Sequence, residues 1–316
     1  MTTAPPSPAG EARAVWKTRV LHPVALLALT WATLLVLQPG FFAPSHLAGM
    51  VTQVGPALVL AAGLTLVMIT AGIDLSLGAV LWLAAAVGGR LALEGVSWPA
   101  SVAAMLGVGT ACGAVTATLI SRLRLPPFLV TLAMFFVWAG LALEIRGTPA
   151  MPLPDSLPSP GGLAVSISVA LAVLAAAQIA LSRTVTGLRM RALGGNAAAA
   201  RGAGLSAPRI TLMMHGVAGL CAGVAAVLSK DPLNGDFMEW GAEPGLAALA
   251  AVLLGGTRLA GGRGSVVPGT LAGVLLVQSV EIGADLAGAS PQVGPLLLSS
   301  LLGLALGIDW RRQRAA

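Results

Sequence analysis

The chain has 316 residues, 56% hydrophobic and only 9% charged, with a mean hydropathy of +0.89; soluble domains carry about a quarter charged residues, so an ordinary soluble domain is excluded. The net charge of +6 comes from basic residues beside apolar segments, which is the membrane pattern and not that of a nucleic-acid binder. The apolar runs do not alternate as barrel strands would, so the chain is read as all-α, a polytopic membrane helical bundle.

The opening residues are polar, Pro-rich and basic (Arg13, Lys17, Arg19) and precede an apolar run. No convincing small-x-small cleavage site follows before the next apolar segment, so this run is taken as a retained first span and not as a signal peptide. With about 20 apolar residues per crossing, spans are expected at 23–39, 51–70, 75–93, 100–120, 128–145, 163–181, 210–229, 245–256, 266–282 and 293–308, about ten transmembrane helices in all. Residues 1–22 and 309–316 are then cytoplasmic tails around a transmembrane domain, 23–308. The stretch 245–256 is too short to cross as a straight helix, so it either continues through the following glycines or re-enters. Two Gly-containing interruptions, TAGIDLSLG and GGTRLAGGRGSVVPG, do not occupy equivalent positions in two halves of five, and no internal repeat is assigned.

Placing the N-terminus inside puts fifteen of the eighteen Lys and Arg residues on the cytoplasmic side, leaving Arg90, Arg146 and Lys230 outside. Nine of the twelve acids fall outside on the same scheme. Their plain reading is a solvated surface; the sharper one is that Asp231, Asp236, Glu239 and Glu243, with Trp240 among them, help to dock an external protein.

Asp74 lies within or near the membrane, where an acid is a functional candidate. Asp74 or Ser76 either caps the helix that follows or takes part in gating or transport. Pro126 and Pro127 suit a helix start, and Thr131 either bonds back to its own helix or lines a polar pathway. Small-xxx-small pairs (Gly109 with Gly113, Gly219 with Gly223, Gly269 with Gly273) are packing features. Cys112 and Cys221 are read as buried small hydrophobes. The sequence has no phosphate loop and no H-E-x-x-H motif, and His22, His46 and His215 show no metal spacing. No catalytic or metal residue is proposed. The loop 182–209, SRTVTGLRMRALGGNAAAARGAGLSAPR, carries five arginines among small residues and is read as a docking surface.

Four collinear motifs carry a family resemblance: GIDLSLGAVLWLAA (72–85), LPPFLVTLAMFFVWAGLAL (125–143), TGLRMRALGGNAAAARGAGL (186–205) and LAALAAVLLGGTRLAGGRGSV (246–266). They resemble the membrane permease of ribose-type monosaccharide ABC importers. The resemblance implies a type II-like importer fold of ten helices in the bacterial inner membrane, with both termini cytoplasmic. It further implies a second permease copy, identical or similar, a soluble sugar-binding protein outside, and a cytoplasmic ABC ATPase. ATP and Mg would sit on that ATPase, and this chain would bind no cofactor. Gly194, Gly195, Asn196, Ala199, Ala200, Arg201, Gly202 and Gly204 match or flank the family's coupling segment: the paired glycines would allow a turn, Asn196 would cap a short helix, and the alanines would fit an ATPase groove. The family usually has Pro and an acid within the run that is here Ala197 to Ala200, and Pro268 also departs from its pattern. Nucleoside and branched-chain amino-acid permeases are similar to this group and remain alternative readings. An ion-coupled secondary transporter, which would need intramembrane acids, is the rival from another class.

Overall fold

The computed structural model describes residues 8–147, 162–229, 243–290 and 292–314, and among these there is no strand. The elements in order are α1 (Pro8–Leu37), α2 (Pro44–Ile69), α3 (Leu77–Leu93), α4 (Trp98–Leu123), α5 (Pro127–Arg146) and α6 (Gly162–Arg183). They continue with α7 (Val185–Gly195), α8 (Ala197–Gly202), α9 (Ala207–Leu228), α10 (Glu243–Leu254), α11 (Leu271–Leu286) and α12 (Val293–Arg314). A 3-10 turn (Pro39–Phe42) joins α1 to α2, and a π turn (Val266–Thr270) leads into α11.

Each predicted span falls on a helix, but the expected number of crossings is not reached on length and composition. Among the described residues six segments are long and apolar enough: α2, α4, α5, α6, α9, and α11 with its π turn. The apolar half of α1, α3 and α10 are shorter. The shortfall at α3 and α10 has a local cause. The TAGIDLS connection stays non-helical, so α3 starts only at Leu77. The 12 described residues of α10 reach about 18 Å, and the helix stops at Leu254, after which Gly256 turns the chain at φ +86. The helix of this segment therefore does not run on through the glycines. At the ends, α1 is already helical at Pro8 and α12 runs to Arg314, so helix extends into both segments read as tails.

Helix starts follow the proline signals. Pro44, Pro99, Pro127 and Pro208 stand in the first turns of α2, α4, α5 and α9, where a missing N–H costs no hydrogen bond. α2 is buried on every side from Leu58 to Ile69 and α3 from Leu77 to Ala86, as expected for helices apolar all round. Around this pair lie α4, α5, α6, α9, α10 and α11. The outer faces of α5 and α6 expose Phe128, Leu129, Phe136, Leu171 and Ile179, an apolar surface suited to lipid. Cys112 and Cys221 are free and buried in this packing.

The small-residue pairs make the closest helix contacts. A Cβ on Gly109 of α4 would strike the carbonyl oxygen of Gly219 on α9, and one on Gly219 would strike that of Gly109. Gly113 is closed off by the carbonyl of His215, and Gly223 by that of Met105 at 2.7 Å. Between α10 and α11, Gly269 and Gly273 stand against the carbonyls of Gly255 and Ala251 in the same manner. Backbone approach of this kind is how helices associate when the surrounding lipid is as apolar as their side chains.

Candidate functional site

Four separate segments meet at one end of the bundle: the connection after α2, the start of α5, helices α7 and α8, and the loop between α10 and α11. The Gly262 amide donates to Ile69 O at 2.8 Å. The Arg191 guanidinium on α7 donates to Gly264 O at 3.3 Å. Thr131 of α5 places its hydroxyl 3.1 Å from Ile73 O and 3.2 Å from Phe128 O. Gln178 of α6 accepts from the amides of Val266 and Val267 at 3.2 and 3.0 Å, anchoring the π turn. This end carries exposed Arg122, Arg124, Arg183, Arg189, Arg201, Arg209 and Arg263.

The loop between α10 and α11 needs its glycines. Gly261 and Gly262 have φ of +80 and +72, and a Cβ on them would meet Ala71 at 2.6 Å and Gly195 at 2.8 Å. Gly194 completes the contact: a Cβ there would run into Ile69 O and lie 2.5 Å from Gly262 N. The expectation that Gly194 and Gly195 form a turn is thus corrected. Both end α7, and neither adopts positive φ. Gly194 is small because three backbones touch at it, whereas Gly195 faces open space.

The turn itself is made by Asn196, extended at φ −156 and ψ 96. Its Oδ1 accepts from Ala198 N and Ala199 N at 3.1 and 3.0 Å, so the expected cap of the short helix is present. On α8, Ala200 is buried while Ala199, Arg201 and Gly202 are exposed. Gly204, at φ +83, then reverses the chain towards α9. The result is a small, slim protrusion whose base packs against the end of α2 at Ile69 and is bonded through Arg191 to the loop between α10 and α11. The arginines of this loop are not all surface charges: Arg191 is half-buried, and burial lowers its pKa below the usual value.

Deeper in, Asp74 is 2% exposed. Its Oδ1 accepts from Ser76 N at 2.9 Å and from the Ser76 hydroxyl at 2.6 Å. These bonds close a local turn just before α3, and neither Asp74 nor Ser76 makes a side-chain bond to the first amides of that helix. Thr131 is fully buried; its hydroxyl bonds back to its own helix and also reaches the Asp74 connection.

The sequence reading missed His215. It is 1% exposed on α9, its Nδ1 lies 3.0 Å from Thr211 O, and its Nε2 lies 3.9 Å from Asp74 Oδ2. Its position inside an apolar span was the available signal, since ionisable groups at membrane depth are costly and seldom idle. Gln178 was missed for a different reason: its partners are backbone amides 88 and 89 residues away. Asp231, Asp236, Glu239 and Trp240 lie outside the described residues, and Glu243 opens α10. No cluster of three or more metal-ligating side chains occurs among the described residues.

At this junction α8 adjoins α7, and Gly194 of α7 packs against the end of α2 and the loop before α11. Comparison with known proteins places this geometry in a wider group. The family model described as branched-chain amino acid transport system / permease component matches residues 46–306. The chain is 33% identical to the ribose import permease protein RbsC of Escherichia coli strain K12 over 300 residues, covering 92% of this chain and 93% of the relative. It is 31% identical over 317 residues to the fructose import permease protein FrcC of Rhizobium meliloti, covering 93% and 86%. It is 29% identical over 297 residues to the galactofuranose transporter permease protein YtfT of Escherichia coli strain K12, covering 89% and 86%. No solved structure matches.

Proposed function

Because the chain belongs to the branched-chain amino acid transport system / permease component family, we propose that it is the membrane-spanning permease subunit of an ATP-driven importer and forms the path for a monosaccharide. The similarity to sugar import permeases over about nine-tenths of the chain carries this reading. The family's own description supports branched-chain amino acids as the second substrate class.

In this proposal, α7 and α8 dock on a cytoplasmic ABC ATPase that holds ATP and Mg. The exposed face of α8 fits a groove, and the junction at Gly194 passes the ATPase motion to α2. Gly194, Gly195, Asn196, Ala199, Ala200, Arg201, Gly202 and Gly204 form or support that contact, and Asp74, Ser76 and Thr131 belong to the moving interior. A soluble binding protein delivers sugar on the opposite side, where Asp231, Asp236, Glu239, Trp240 and Glu243 are the docking candidates. A second permease copy completes the pathway. The basic end faces the cytoplasm, both termini lie there, and about ten helices in the bacterial inner membrane serve as spans.

Reconstitution in proteoliposomes with the cognate ATPase and binding protein tests the reading. Uptake of a labelled monosaccharide such as ribose should require ATP and both partners. Gradient-driven uptake by this chain alone would sink it. In the same assay Gly202→Glu, at a position with open space around it, should lower uptake about tenfold with unchanged membrane insertion. Wild-type uptake in that variant would remove α8 from the docking surface.

A further inference from the structure

The connection between α2 and α3 joins the docking junction to the bundle interior, and one side-chain pair on it is chemically incomplete. Nδ1 of His215 lies 3.0 Å from Thr211 O. A backbone carbonyl only accepts, so Nδ1 must carry hydrogen. In the neutral imidazole Nε2 is then a bare lone pair, also an acceptor. Facing it at 3.9 Å is Asp74 Oδ2, a third acceptor when the carboxylate is ionised. Neither Nε2 nor Oδ2 has a hydrogen-bond partner, and both are sealed from solvent. Two unpaired acceptors facing one another in the interior are costly. One added proton removes the conflict, because it converts the facing atoms into a donor and an acceptor.

We infer that Asp74 and His215 together form a binding site for one proton, and that the bound proton ties the α2–α3 connection to α9. With the proton in place, a closure of about 1 Å brings Nε2 and Oδ2 to the distance of a charge-assisted hydrogen bond. Without it Thr131 of α5 still holds the connection through Ile73 O. Other titratable groups on the packed elements do not compete for the site. His46 on α2, Arg90 on α3, Cys112 and Arg122 on α4, Arg189 and Arg191 on α7, and Arg209 and Cys221 on α9 make no hydrogen bond or ion pair with His215 among the described residues; Arg90 is paired with Glu94 at 2.7 Å. In the importer proposed above, on which this consequence rests, the proton sets how firmly the junction drives the interior.

The test compares the full-length wild type with His215→Gln and His215→Leu over a series of pH values. Glutamine offers a non-titrating N–H donor at nearly the reach of Nε2, and leucine offers none. Hydrogen-exchange protection factors of residues 72–77, corrected for the intrinsic pH dependence of exchange, are read on the purified chain in lipid nanodiscs. Protection in the wild type should fall about fivefold or more as pH rises. It should stay high and flat in His215→Gln, and low and flat in His215→Leu. ATP-driven uptake by the reconstituted importer should follow the same three profiles. A flat wild-type profile, or a glutamine variant that keeps the wild-type pH dependence, overturns the proton site. If no wild-type sample takes up sugar with ATP, the importer reading fails, and the protection factors still decide the proton site.

Discussion

At the scale of single residues, neighbouring glycines that look alike in the sequence do different work. Gly194 is held against Ile69 O and Gly262 N, while Gly195 meets nothing within 4 Å. Gly194→Ala should therefore destabilise the purified protein by about 1–3 kcal/mol, the usual cost of overpacking a filled site. Gly195→Ala should be neutral or slightly stabilising in its helical position. Thermal unfolding of the two variants in detergent checks this, and equal melting temperatures would show that the Gly194 contact is loose. The local chemistry of Asn196 was readable because a cap involves only the next three residues. The contact of Gly194 was not, because its partners come from residues 69 and 262. His215 escaped for the same reason: nothing near it in the chain announces Asp74.

At the scale of elements, the helix pair α4–α9 shows how far a small-residue pattern can be trusted. The i, i+4 glycines on both helices were visible, but which helix would face which was not. In the fold they face one another, carbonyl against Cα. Gly109→Leu should prevent the two helices from closing and remove most of the folded protein from the membrane fraction. Gly107→Leu, on the same helix with open space around it, should express as wild type. Fluorescence-detected size-exclusion chromatography separates the outcomes, and a monodisperse Gly109→Leu peak would refute the close contact. The short α8 illustrates the opposite dependence. Six residues do not hold a helix alone in water, so its shape rests on the Asn196 cap and on the burial of Ala200. One Gly-containing connection delays the start of α3 and another ends α10 at Leu254, which a hydropathy window does not resolve.

At the scale of the molecule, the basic residues gather at the end where α7, α8, the α2–α3 connection and the α10–α11 loop meet. If that end faces the cytoplasm, a cysteine at Asn196 should react with a membrane-impermeant maleimide only in inverted vesicles, and one at Glu94 only in whole spheroplasts. The reverse pattern would invert the orientation and with it the docking assignment. Composition and the unbroken, non-alternating apolar runs by themselves determined a helical membrane protein, because only helices or closed barrels satisfy the backbone in lipid and barrel strands would alternate. Its four ordered motifs determined the family, since motif order survives without any knowledge of contacts. The tertiary structure alone decided that Gly194, Ile69 and Gly262 share one point, and that Asp74 and His215, 141 positions apart in the chain, stand 3.9 Å apart in the interior. The physical reason is that hydropathy and capping act between near neighbours in sequence, whereas close backbone approach and buried charge depend on which helices the bundle places side by side.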